Sequence, residues 1–104
     1  MLQGTTPTFT LTFPSTLDLS QAAHVVFTLR QGSAVVNKSD TDLTINSNVV
    51  SVALTQEESL RFQFNAPAVM MVNWTYSDGS RGGSKKKEII IEENLYPEVI
   101  EDAD

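Results

Sequence analysis

The chain of 104 residues contains no cysteine, a single histidine and a single tryptophan. The missing cysteine excludes a disulfide framework, a thiolate nucleophile and any cysteine-based metal site, and it fits synthesis in a reducing cytoplasm. Long apolar runs are missing as well. The longest within the strand-like stretches, Ala68 to Val72, is far short of the roughly 20 residues that a membrane-spanning helix needs. No basic segment followed by an apolar core stands at the N-terminus, so no signal peptide is expected. Positive charge is scarce too, with seven Lys and Arg against 13 Asp and Glu for a net charge of −6. That balance speaks against a general nucleic-acid binder, whose surface must neutralise phosphates. Neither nucleic acid nor a membrane is an expected partner.

What is present describes one globular domain. Forty per cent of the residues are apolar, enough to expect folding around one core but not two. The charges are unevenly placed. Four of the seven basic residues (Arg81, Lys85, Lys86, Lys87) share one short segment, and seven of the 13 acidic residues follow from Glu88 onward. The chain therefore ends basic and then acidic.

Period-2 alternation recurs along most of the length. In "TPTFTLTFP", Phe9, Leu11 and Phe13 share one face of a strand and the threonines share the other, with Pro14 ending the run. A connection with room for one helical turn near Leu19–Ala22 follows. Val25, Phe27 and Leu29 then alternate in "HVVFTLRQG", a turn at Gln31–Ser33 follows, and 34–38 reads as a returning strand. Leu43 and Ile45 mark a further strand. Asn46–Asn48 supplies turn residues before Val50, Val52 and Leu54. Thr55 followed three residues later by Glu58 is a capping-box pattern, which predicts a short helical turn near 55–61 fastened by Leu60 and Phe62. Met70, Val72, Trp74 and Tyr76 form one face of the longest strand. Asp78–Gly79 signals a hairpin with a two-residue type I′ turn, and the return strand spans 85–93 after a bulged or frayed start at Arg81–Ser84.

About seven short strands with a turn every 8–12 residues predict an all-β fold, an antiparallel immunoglobulin-like β-sandwich. Its strand topology stays open, because the bridged cysteines are missing and Trp74 sits on the penultimate strand. The sandwich is expected over 1–93, followed by an acidic segment over 94–104.

Catalytic, cofactor and metal sites are not expected. His24 reads as a surface residue without a fixed nucleophile. Asp40 and Asp42 resemble calcium ligands in spacing, but the glycine and terminal glutamate of a calcium loop are missing, so they read as a solvated turn. Glu57 and Glu58 diverge on a helix and cannot flank one glycosidic bond. Trp74 and Tyr76 could form a sugar-stacking platform, yet their spacing continues the buried face. The candidate partner-binding residues are Lys85, Lys86 and Lys87, which otherwise guard a sheet edge, and Leu95, Tyr96, Val99 and Ile100. Those last four are apolar residues set among acids, either a frayed end or a segment that docks on its own domain or a neighbour.

Four stretches in register carry a resemblance: "QGTTPTFTLTFP" (3–14), "VVFTLRQG" (25–32), "LTQEESLRF" (54–62) and "VNWTYSDGSR" (72–81). Together they resemble small proteins encoded by phages and prophages of Gram-positive bacteria, related to the N-terminal domain of phage baseplate upper proteins. The resemblance covers roughly residues 3–92. It implies a β-sandwich, a structural role in the virion tail or baseplate after synthesis in the host cytoplasm, and no catalytic residues. The implied partners are other phage structural proteins or further copies of the chain. An adhesion or carbohydrate-binding module at the host surface is the alternative expectation.

Overall fold

Alternating side chains become eight strands in two antiparallel sheets in the computed structural model, which describes residues 1–101. Asp102 and Asp104, the last two acids of the 94–104 segment, lie outside the described residues. The strands are β1 (Thr8–Thr12), β2 (His24–Gln31), β3 (Ala34–Ser39), β4 (Leu43–Asn46), β5 (Val49–Ala53), β6 (Ala68–Thr75), β7 (Arg81–Gly83) and β8 (Lys87–Ile89), with one α-helix, α1 (Gln56–Leu60), between β5 and β6 and short 3-10 turns at Leu19–Gln21, as expected, and Asp40–Asp42. One sheet has the order β1-β5-β4; the other has β3-β2-β6, with β7 and β8 along the far side of β6. This connectivity is that of an immunoglobulin-type sandwich.

The inward positions are those the alternation marks. Phe27, Leu29, Val50, Val52, Met70 and Val72 are all buried between the sheets, each stabilising by about 1.5–3 kcal/mol relative to exposure. Phe9 stacks on Phe27 across the two layers with ring centroids 6.1 Å apart. Phe9, Leu11 and Phe13 are only half-buried, however. The cause is topological: β1 pairs with β5 alone, and no strand covers its other side. Phe13 donates its N–H to Asn48 O at 2.8 Å. In this register the odd-numbered residues bond to β5, so Thr8, Thr10 and Thr12 turn their backbone groups to the open side.

One detail of the last hairpin differs from expectation, and another decides between two expected alternatives. Only Gly79 takes a positive φ in its turn (89°), whereas a type I′ turn needs two such residues. Gly79 N–H bonds Tyr76 O and Tyr76 N–H bonds Ser80 O, both at 2.9 Å, which makes a three-residue loop. Asp78 drives this outcome by accepting from Ser80 N at 2.9 Å and Ser80 Oγ at 2.6 Å, an Asx interaction that needs no left-handed aspartate.

The second detail concerns Arg81–Ser84, expected as either a bulge or a frayed start; it is the bulge. β7 pairs fully with the end of β6, and β8 pairs with its beginning. Between them Gly83 to Lys87 spans four steps where Asn73 to Met70 spans three, so one extra residue bulges out. Ser84 sits at the break, donating its N–H to Val72 O at 2.8 Å while its hydroxyl accepts from Val72 N at 2.9 Å. The bulge is why eight strands are present where seven were expected: β7 and β8 are halves of one edge strand.

The capping box of α1 forms as its sequence predicts. Thr55 Oγ1 accepts from Glu58 N at 3.2 Å, and Glu58 Oε1 accepts from Thr55 N at 2.9 Å. A helix this short has no stability of its own. It is held by buried Ser59, whose hydroxyl donates to Thr5 O at 2.7 Å, and by Phe62, fully buried beneath it. Leu60 contributes less and remains half-buried.

Candidate functional site

Over residues 94–100 the C-terminal segment is hydrogen-bonded to the domain without being folded into its core. Its backbone is tied down while most of its apolar side chains face out. Buried Gln3 starts the arrangement by donating Nε2 to Phe62 O at 2.7 Å. Its Oε1 accepts from Asn94 N at 3.3 Å, and Asn94 Nδ2 donates to Gln3 O at 2.7 Å. Asn94 Oδ1 then accepts from Tyr96 N at 2.9 Å. Farther along, the Gln56 amide takes both backbone groups of Ile100, donating to its O at 3.0 Å and accepting from its N at 2.8 Å.

Within this frame Leu95 is 95 % exposed, Ile100 67 % and Tyr96 56 %. Val99 differs: it is 37 % exposed and lines a shallow groove with Leu54 and Gln56 of its own domain. Phe64 and Ile90 stand exposed at the same end and line one depression. The sequence reading missed both. The signal for Ile90 was its position between Ile89 and Ile91, which face inward.

Lys85, Lys86 and Lys87 are all exposed, but alternation splits them between two faces. Lys86 borders a depression on the outer face of the larger sheet with Arg30, Val69 and Met71. Lys85 and Lys87 line a different cleft of about 470 Å³ between the free edge of β1 and the β7–β8 edge. Leu11, Phe13, Leu17 and Trp74 supply its apolar lining. Residues 1–3 pair with the chain that follows β8: Leu2 bridges Glu92 in parallel and Gln3 N–H bonds Glu92 O at 3.1 Å.

The aromatic candidates belong to the core. Trp74 is 9 % exposed and meets Phe13 edge-on at 5.7 Å, and Tyr76 packs partly against the same core, so no flat sugar platform is presented. His24 has a partner that sequence spacing did not reveal: its Nδ1 lies 3.0 Å from Asp40 Oδ2. Asp40, at a φ of 48°, also accepts from Val25 N at 3.1 Å. The His24 hydrogen bond, followed by that of Val25, holds the Asp40 carboxyl below its usual range. Both side chains are exposed to solvent, and among the described residues no hydroxyl hydrogen-bonds to the imidazole. No group of three or more His, Cys, Asp or Glu among the described residues could hold a metal ion.

A second charged pair fastens α1 to β3. Lys38 Nζ lies 2.9 Å from Glu58 Oε2, with both side chains largely buried. Burial alone would raise the Glu58 pKa, but Lys38 and Thr55 together outweigh it and lower it. This pair is structural: it positions α1, and Gln56 of α1 positions Ile100. No protein-family model matches the chain, and no curated protein is significantly similar to it.

Proposed function

We propose that this domain is a non-enzymatic structural protein of a phage or prophage virion, made in the host cytoplasm and built into the tail or baseplate through protein–protein contacts. The observation that carries the proposal is the C-terminal segment, whose backbone is fixed by Gln3, Asn94 and Gln56 while Leu95, Tyr96 and Ile100 point into solvent. Exposed apolar side chains on a preorganised backbone are suited to binding, because little ordering entropy remains to be lost. The four stretches that resemble small phage proteins point to where such contacts are used. Symmetric assembly of many copies is how large structures arise from a domain of this size.

The decisive experiment is induction of the prophage, or infection by the phage, that encodes the chain, followed by purification of tails and identification of their proteins by mass spectrometry. The protein is expected at stoichiometric levels in tail or baseplate particles. Recovery only in the soluble fraction, with tails assembling normally in its absence, would overturn the proposal.

A further inference from the structure

The cleft between β1 and the β7–β8 edge is lined by apolar side chains and flanked by two lysines. Its two walls belong to different sheets, and only Phe13 and Trp74 meet across it as aromatic partners. One side offers the free backbone groups of Thr10 and Thr12, and the other carries Lys85 and Lys87. An occupant that suits it is apolar, with acidic flanks. The chain itself carries such a segment: Leu95 and Tyr96 stand exposed between Glu92–Glu93 and Glu98.

We infer that Leu95 and Tyr96 of one copy insert into this cleft of a second copy, with Glu93 and Glu98 facing Lys85 and Lys87. The inference rests on the assembly role proposed above and names the partner as the same chain. The segment cannot serve its own cleft. Gln3 and Gln56 fasten it at the end of the sandwich where α1 lies, whereas the cleft opens toward the other end, where β1 runs into Pro14 and Leu17. Each copy therefore offers one segment and one cleft. The contact is head-to-tail, and it closes into a ring or propagates according to the rotation between copies. Pro97 is compatible with this placement, because a proline is tolerated where its nitrogen faces solvent at a sheet edge.

The test uses the full chain and two exposed-residue variants in sedimentation velocity over a concentration series. One variant, Lys85→Glu with Lys87→Glu, spoils the cleft; the other, Leu95→Ser with Tyr96→Ser, spoils the segment. The unaltered chain is expected to self-associate, more weakly at high salt, and each variant alone to associate at least about tenfold more weakly. An equimolar mixture of the two variants is expected to form a discrete dimer, since one intact cleft and one intact segment remain. Trp74, the only tryptophan, reports filling of the cleft through its emission.

An unaltered chain that stays monomeric overturns the inference, as does association that neither variant weakens, or a mixture that fails to recover. The two proposals fail separately. Protein found in tails without this contact removes the head-to-tail inference alone, while the contact measured in solution by a protein absent from tails removes only the virion role.

Discussion

The indole of Trp74 lies directly over Gly82, its register partner across β6 and β7, so closely that a Cβ on Gly82 would collide with Trp74 Nε1. Glycine is required here by contact rather than by backbone angle. The same indole packs edge-on against Phe13 of the opposite wall, so displacing it disturbs the one aromatic contact across the cleft.

Gly82→Ala is therefore expected to destabilise the domain by about 1–3 kcal/mol, the usual cost of overpacking. Chemical denaturation followed by Trp74 fluorescence measures it. Gly83→Ala provides the contrast. Its added methyl would meet the Asn73 side chain at 3.0 Å and the flexible end of Met71 at 3.3 Å on the outer face, so a smaller loss is expected. Equal losses at the two positions would show that the indole contact is not what constrains Gly82.

The Lys38–Glu58 pair gives a pH dependence with a defined sign. Burial works against the charged carboxylate, but Lys38 and Thr55 lower its pKa below the ordinary 4.5. A carboxylate lowered in the folded state adds stability that is present above its unfolded value and lost as the pH falls through the folded one. Unfolding free energy is expected to drop on acidification below pH 4.5. Lys38→Met should flatten this slope and cost about 1–3 kcal/mol at neutral pH, between the values for exposed and fully buried pairs. Urea titrations at several pH values test both statements. An unchanged acid slope in the variant would remove Lys38 from the account.

The Ser84 hydroxyl at the bulge replaces a backbone acceptor for Val72 N. Ser84→Ala leaves that N–H without its partner and is expected to cost about 1–2 kcal/mol. Amide exchange at Val72 should accelerate more than exchange at Met70, which lies beyond the bulge on the β8 side. Uniform acceleration along β6 would mean that the serine does not act locally.

The parts of the fold legible in the sequence were those with a local cause. Val25, Phe27 and Leu29 repeat every second residue because a strand has two faces, and Thr55 and Glu58 sit three apart because a capping box spans that distance. A bulge within Arg81–Ser84 was legible as one of two readings, but its register was not, because an extra residue changes register without changing composition. Asp78–Gly79 misled in one respect: the pair supports more than one turn, and the hydrogen bonds of Ser80 select between them. Contacts such as His24 with Asp40 join residues 16 apart in sequence, and Gln56 with Ile100 joins residues 44 apart. Polar side chains of this kind carry no periodic signal. Alternation separates Lys86 from Lys85 and Lys87, but the face each takes depends on the bulge, which reverses the parity that Gly82 opposite Trp74 sets.

Gln56 converts the C-terminal stretch from a loose end into a presented surface, and its removal separates fastening from packing. The side chain makes both hydrogen bonds to the backbone of Ile100, while the helix it belongs to is anchored independently by Ser59, Glu58 and Phe62. Gln56→Ala is thus expected to change global stability by no more than about 1 kcal/mol. Hydrogen exchange at Ile100 should accelerate by at least about tenfold, since its protection depends on local opening rather than global unfolding. Residues near Asn94 should keep their protection through Gln3, so the loosening is confined to the distal part. Any partner that reads Leu95 and Tyr96 on a preorganised backbone would then bind the variant more weakly, through ordering entropy paid at association. Unchanged exchange at Ile100 would mean that the side-chain packing of Val99, and not the Gln56 amide, holds the segment in place.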